Sequence, residues 1–477
     1  MIAPIRFVLI LLPVIVCGLR GSFAMADEPL QRLNVLLITA DDLNADSAGW
    51  LGNPLNPTPN LDAFAKTSHR FVNAHVTIPI CQPGRAVLMT GRLPHHNGAL
   101  GFGPINDDVV TLPEILRGHG YFTGAIAKTP HMKPDAKFPW DAVGEQALGK
   151  QPAEFATKFR QMLSSAKTQQ KPFFINANIC DPHRPFIKVN SIPDTSNSPA
   201  ERAPTLEGVR IFQSEEVSVT AFLEDLPEIR REIAQYYTNV SRFDVTFGLI
   251  MQVLTDAGHD DDTIVVFLSD HGMSFPFAKA TVYYNGTWSP TLLRIPGEAT
   301  TQTRSEWVSS LDVMPTLLEL LKIDGPATMD GRSWVPLLEG KFQADRDFVI
   351  TQVNTVFGGR SLAQRCLRTA NRSLLFHAWA EGPNKFQVEA MSGLSFAAMQ
   401  AATNPQVQAR VQQFVSGETL MLFDTQLDPT ERINRVHDPD YAEDFLVLSQ
   451  KLLSRLRASD DPQAEAFLQA ITKHSKD

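Results

Sequence analysis

The sequence predicts an α/β protein: a mixed, mainly parallel sheet sandwiched by helices, followed by a smaller C-terminal α+β subdomain. Up to about Gly340, short apolar runs alternate with amphipathic helical stretches, the rhythm of a parallel sheet with helices on both faces. The runs are Leu33–Thr39, Thr123–Ala127, Phe173–Ile179 and Thr263–Leu268. Between them, Thr111-Leu112-Pro113-Glu114 has the spacing of a capping box that opens a helix. A longer helix, Glu228 to Ala257, places Ile229, Ile233, Tyr236, Val240, Phe243, Phe247, Ile250 and Leu254 on one face and ends at Gly258. The Pro- and Ser-rich stretch from Asn190 to Thr205 reads as a long surface loop. Past Gly340 the pattern turns to short strands, Asp347–Val353 and Ser373–His377, then a strand and turn over Leu422–Glu431 and a helix from about Ala442. The expected division is a main domain over 27–340 and a subdomain over 341–477.

The N-terminus reads as an export signal over residues 1–26: Arg6, an apolar run from Phe7 to Leu19, and Ala24-Met25-Ala26 before Asp27. The run is too short to span a bilayer and no later stretch reaches that length, so the mature chain is expected to be exported, without a membrane anchor, to a periplasm, a lysosome-like lumen or the outside. Four cysteines in 477 residues exclude a disulfide scaffold. Whether Cys180 and Cys366 pair is open at this level. The net charge of −9 argues against general adhesion to nucleic acid, so an anionic ligand needs a local basic cluster. Three Asn-x-Ser/Thr triplets, at Asn239, Asn285 and Asn371, are no more than chance provides.

The most informative stretch is Cys81-Gln82-Pro83-Gly84-Arg85, continuing through Ala86-Val87-Leu88-Met89-Thr90 to Gly91. Pro83 suits the first turn of a helix and Gly91 its end, which sets residue 81 at an exposed helix start. Free N–H groups and the helix dipole favour an anion there. For a single cysteine the plain alternative is a buried thiol. Two apolar runs end in acidic residues: Leu33–Thr39 leads into Asp41-Asp42, and Thr263–Leu268 into Asp270-His271-Gly272. In open α/β sheets ligands bind beyond the C-terminal strand ends, so these groups can meet in one crevice, and clustered carboxylates suit Ca²⁺ or Mg²⁺. Read singly, Asp41-Asp42 is a helix cap and Asp270 a turn. Basic residues follow two other runs: Lys128 and His131 after Thr123–Ala127, and His183 and Arg184 after Phe173–Ile179. Lys279 lies nine residues past Asp270, and His95 and His96 either line the pocket or serve a loop.

Cys-x-Pro-x-Arg followed by an apolar turn and Thr-Gly resembles the signature of the type I sulfatases, whose cysteine is oxidised after translation to formylglycine. Gly84 departs from the serine usual in that signature. The resemblance implies an alkaline-phosphatase-like fold and one Ca²⁺ per chain, held by Asp41, Asp42, modified Cys81, Asp270 and His271, the last standing where many relatives have asparagine. It implies a catalytic set of Cys81, Arg85, Lys128, His131, His183 and Lys279. In the implied reaction one hydroxyl of the hydrated aldehyde attacks sulfur and the other later collapses to expel sulfate, a route an ordinary serine lacks. A formylglycine-generating maturation enzyme is the implied partner. Thr90–Gly98 and Phe275–Pro290 look most like N-sulfoglucosamine sulfohydrolases, whereas Asp-His-Gly and Lys-x-x-His resemble iduronate-2-sulfatases. The implied substrate is a sulfated saccharide of heparan type, attacked at a chain end and gripped by Lys128, Lys133, Lys137, Arg184 and Lys279. The alternatives are a phosphonate monoester hydrolase or phosphodiesterase of the same superfamily, and a catalytically silent polysaccharide-binding protein.

Overall fold

Eight strands form the main sheet of this computed structural model, which describes residues 32–187, 206–298, 301–380, 382–383 and 385–476. The expected export signal and the Asn190–Thr205 loop lie outside the described residues. In chain order the first strands are β1 Asn34–Asp41, β2 His69–Phe71, β3 Ala74–His75, β4 Phe122–Ile126, β5 Ala142–Gly144 and β6 Phe173–Pro182. There follow β7 Thr263–Ser269, β8 Thr291–Arg294, β9 Thr303–Arg304 and β10 Val308–Ser309. The sheet runs β5-β4-β6-β1-β7-β8-β2-β9, while β10 and β3 form a separate parallel pair. Within the large sheet only β8 runs antiparallel to its neighbours.

β1 is the centre, paired with β6 on one side and β7 on the other, and every residue from Asn34 to Asp41 is buried. Its alternate side chains serve different cores: Leu36, Ile38 and Ala40 face the layer containing the long helix Pro227–Asp256, and Val35 and Leu37 face the opposite layer. All four predicted apolar runs are strands of this sheet. The capping box is also real: Thr111 Oγ1 accepts from the Glu114 amide, and Glu114 Oε2 accepts from the Thr111 amide at 2.9 Å.

A second, antiparallel sheet follows, made of β11 Phe348–Thr355, β12 Ser361–Thr369, β13 Arg372–His377 and β14 Leu420–Asp424 in that order. One face, with Leu362, Cys366, Leu375 and Met421, joins the core that holds Phe277 and Tyr283. The other, with Leu367, Leu374 and Leu422, lies under the helices Ala442–Ala458 and Ala464–His474. Leu33–Asp477 is thus one compact unit in which the second sheet is fastened to the first layer. Cys180 and Cys366 are both buried, and neither is in a disulfide. Asn239 and Asn285 are buried as well, which removes two of the three triplets as surface acceptors.

Candidate active site

The C-terminal ends of β1, β4, β6 and β7 deliver Asp41, Lys128, Asp181 to His183, and Asp270 to one side of the sheet. Opposite them starts the helix Cys81–Thr90, which Gly91 ends with a φ of +60°. The sequence places Cys81 at an exposed helix start; the structure corrects this. Cys81 is 3% exposed and the whole helix is buried, because its Val87 and Met89 pack into the two opposite cores.

Cys81 Sγ lies 3.1 Å from His271 Nε2 and 3.6 Å from Asp41 Oδ1. His271 Nδ1 donates to the Gly272 carbonyl at 3.0 Å and lies 3.3 Å from Asp42 Oδ1. Nδ1 therefore carries a proton, while Nε2 faces Cys81 and lies 3.5 Å from Asp270 Oδ1. Gly272 is required for this turn, since a Cβ there would meet the Asn285 carbonyl oxygen at 1.8 Å. At Gly84 an ideal Cβ would lie 3.0 Å from the Ile78 carbonyl oxygen, so the usual serine would need a small shift.

Arg85 is buried and reaches across the crevice, donating from Nη2 to Asp270 Oδ2 at 2.9 Å. Its Nη1 donates to Asn178 Oδ1 at 2.5 Å and to Thr39 Oγ1 at 3.0 Å. Lys128 pairs with Asp41, and Lys279 Nζ lies 2.8 Å from both Asp42 Oδ1 and Glu389 Oε2. His183 Nδ1 donates to the Arg184 carbonyl at 2.6 Å, with Nε2 3.6 Å from Glu389 Oε1. His131 neighbours Lys128 through the short turn Thr129–His131. Asp42, Ala127, Lys128, Phe277 and Ala280 all hold left-handed backbone, with φ from +55° to +72°. At Asp42 this turn breaks the strand's alternation, so that two successive carboxylates enter one crevice.

Burial sets the protonation states. It pushes the Cys81 thiol well above its usual value and also raises the Asp270 carboxyl. Burial works against Asp41 too, yet Lys128, His183, Lys279 and Arg85 together hold it well below the ordinary carboxylate range. For Lys128 and Lys279 the facing carboxylates Asp41 and Asp42 outweigh burial and keep both protonated. Burial, with Lys128 beside it, drives His131 down to about 3, so it is neutral at ordinary pH. The crevice therefore sets four carboxylates, Asp41, Asp42, Asp270 and Glu389, against three permanent cations, Arg85, Lys128 and Lys279. Asp42 Oδ2 is buried with no hydrogen-bond partner.

A family profile described as Sulfatase matches residues 33–323. The chain belongs to the sulfatase family. This sulfatase is therefore an enzyme that hydrolyses sulfate esters or sulfamates. It is 32% identical over 339 residues to N-sulphoglucosamine sulphohydrolase of Homo sapiens, a stretch that takes in 65% of this chain and 66% of the human protein. Among solved structures it superposes on a 2-O GAG sulfatase with a TM-score of 0.67 at 19% identity, covering 90% of this chain and 93% of that one. Phosphonate monoester hydrolase from Silicibacter pomeroyi gives a TM-score of 0.64 at 21% identity, covering 90% and 96%. The fold is the alkaline-phosphatase-like one expected, with the smaller antiparallel sheet at its C-terminal end.

The structure brings Asp41, Asp42, Cys81, Arg85, Lys128, His183, Asp270, His271 and Lys279 together, with His131 alongside. Other candidates lie elsewhere. His95 Nε2 bonds the Ser459 carbonyl at 2.8 Å and His96 Nδ1 meets Asp330 at 2.8 Å, so both are ties between segments. Lys137 and Lys133 are occupied by Glu114 at 2.8 Å and Asp135 at 2.7 Å, and Arg184 by the buried Glu232 at 2.7 Å. Of the five expected cations, Lys128 and Lys279 are the two whose partners are the crevice carboxylates Asp41, Asp42 and Glu389. Sequence reasoning missed Glu389 and Asn178. A polar residue inside the apolar β6 was a signal for Asn178, whereas Glu389 stands in no motif.

Proposed function

We propose that this sulfatase removes sulfate from a sulfated glycosaminoglycan, using formylglycine formed from Cys81 and one bound Ca²⁺. The observation that carries the reading is Cys81 at a buried helix start, with Asp41, Asp270 and His271 so close that one donor atom of each lies within 4.8 Å of the others. A buried thiol whose ionisation is suppressed is a poor nucleophile, which favours a modified residue over cysteine itself. Formylglycine as the hydrate supplies a hydroxyl nucleophile and, on its second oxygen, a way to release sulfate.

The residues fit a calcium ion. Asp41, Asp42 and Asp270 are hard oxygen donors, His271 Nε2 faces the same crevice beside Asp270, and Asp42 Oδ2 has no hydrogen-bond partner. These residues and residue 81 would hold it, and when bound it supplies positive charge to the sulfuryl oxygens. With three cations facing four carboxylates, a divalent ion turns the crevice from net negative to net positive, as an anionic substrate needs. Arg85 locks the helix start against Asp270, and Lys128 and Lys279 present ammonium donors to the sulfate and to residue 81. His183 holds its Nε2 toward the crevice and Glu389 through the Nδ1 bond to the Arg184 carbonyl, so that its imidazolium form is placed to protonate the leaving oxygen or nitrogen. Neutral His131 is placed to accept a proton as sulfate departs.

Within this reading the substrate is a heparan-type chain, desulfated at its end, with N-sulfoglucosamine preferred over 2-O-sulfated uronic acid. The 32% identity to the human N-sulphoglucosamine sulphohydrolase supports that choice. Residues 1–26 are proposed as an export signal and a formylglycine-generating enzyme as the maturation partner; among the described residues no helix is long and apolar enough to cross a membrane. Peptide mass spectrometry is expected to find the aldehyde at residue 81, and Cys81→Ala to drop sulfate release to background in a folded protein. An intact thiol in fully active enzyme sinks the mechanism, and preferential turnover of aryl phosphonate over aryl sulfate favours the phosphonate alternative. Defined heparan oligosaccharides test the substrate: loss of sulfate only from internal units ends the chain-end claim and leaves the sulfatase intact.

A further inference from the structure

Two aromatic side chains stand in water beside this crevice. Phe102 is 39% exposed and Phe357 is 77% exposed, and their rings meet edge to face at 5.5 Å. Phe102 also meets the ring of His131 edge to face at 6.1 Å. The loop that carries Phe102 is tied to the signature helix, because Gln82 Nε2 donates to the Gly103 carbonyl at 2.8 Å. Phe357 sits at the tip of the β11–β12 hairpin, whose Thr355 amide donates to the Leu100 carbonyl at 3.2 Å. Both rings are therefore fixed relative to residue 81, although neither is buried. Keeping two large apolar rings exposed forgoes their burial energy, and exposed aromatics at the mouth of a site are the usual surface for a ligand ring.

Arg360 extends the same hairpin tip. It is exposed, bonds the side-chain amide of Gln387, and has no carboxylate partner among the described residues. Gln387 is two residues from Glu389, which touches both Lys279 and His183. Arg360 is thereby tied to the segment that carries Glu389 into the crevice. Planar guanidinium donors with no acid of their own match a carboxylate.

We infer that Phe102, Phe357 and Arg360 form a subsite for the saccharide unit next to the one that loses sulfate, its ring resting on the two phenylalanines and its carboxylate meeting Arg360. The inference rests on the glycosaminoglycan reading above, since heparan-type chains alternate glucosamine with a uronic acid. It assigns the β11–β12 hairpin of the second sheet to recognition of the neighbouring sugar, leaving the sulfate to the strand ends.

The test compares kcat/KM of the calcium-loaded enzyme on N-sulfoglucosamine, on the disaccharide in which it is joined to a uronic acid, and on that disaccharide with its carboxyl reduced to an alcohol. The wild type is expected to prefer the uronate disaccharide over the monosaccharide. Phe357→Ala is expected to cut that preference about tenfold, mainly through KM, and Phe357→Tyr to restore it. Arg360→Gln is expected to erase the difference between the acidic and reduced disaccharides. Preferences unchanged in both variants, or no wild-type preference at all, overturn the subsite while leaving desulfation intact. Turnover of aryl sulfate but of no saccharide overturns both the subsite and the glycan reading.

Discussion

Arg85 and Arg365 are both fully buried arginines facing an aspartate, and they differ in what is left over. Arg365, on β12, grips both oxygens of Asp461 at 2.7 and 2.8 Å. Its remaining donors go to the carbonyls of Val353 and Gln364 at 2.9 and 2.8 Å and to Asn354 Oδ1 at 2.8 Å. Every guanidinium N–H has an acceptor. Arg85 instead leaves Nε without a partner, and in the same crevice Asp42 Oδ2 is orphaned. Buried polar groups are normally matched; the orphaned Asp42 oxygen is what marks the crevice as a place that a ligand finishes, since Arg368, paired with Glu431, also leaves its Nε unmatched.

The comparison breaks most sharply at Asp461. Asp461→Ala strands a buried guanidinium and is expected to lower unfolding free energy by about 3–5 kcal/mol in denaturant titrations. A loss below about 1 kcal/mol would mean that complete pairing carries no special weight here. Metal is the next lever. At a hundredfold excess over its dissociation constant, Ca²⁺ is expected to stabilise the protein by about 2.7 kcal/mol, and a strong chelator to remove that increment together with activity. Asp42→Asn should abolish the increment yet cost the metal-free protein little, because Lys279 keeps Glu389 and one unmatched charge is gone. Full activity in a demonstrably metal-free sample would end the calcium reading.

A pH-dependent effect sharpens the contrast with a buried group that is neutral. His377 is buried with both ring nitrogens unpartnered, and burial holds it down at about 3. Its folded value lies below the ordinary 6.5, so as pH falls the unfolded chain takes the proton first. Stability from this residue is therefore full above about 6.5 and lost as pH falls toward 3, at up to about 1.4 kcal/mol per pH unit. His377→Phe should flatten that slope in unfolding curves measured between about pH 4 and 6.5; an unchanged slope would contradict it.

The strands that build the crevice were legible because parallel strands covered on both faces read as unbroken apolar runs, and their polar ends mark the ligand side. β12 escaped notice for the opposite reason. Arg365 and Arg368 interrupt its apolar pattern, and their partners Asp461 and Glu431 lie far along the chain. Glu389 was invisible for the same cause, since only folding sets it against Lys279 and His183. Lys133 and Lys137 misled in the other direction: charge close in sequence to a site is often consumed by a local acid, as Asp135 and Glu114 do here. The burial of Cys81 was also unreadable, because it depends on layers packed from both sides rather than on the helix itself.

The left-handed residues around the crevice have a consequence for how this enzyme tolerates change. Asp42, Ala127, Lys128, Phe277 and Ala280 each hold a conformation that glycine would adopt with less strain, by roughly 1 kcal/mol. Stabilising substitutions are usually easy to find and neutral, but at these positions the stabilising choice is also the loosening one. Glycine at Asp42 or Lys128 deletes a functional charge, and at Ala127 or Ala280 it frees the backbone that aims Lys128 and Lys279. Selection for thermal robustness and selection for turnover therefore pull in opposite directions along this short set of residues, and a stabilised descendant of this protein should have gained its stability elsewhere.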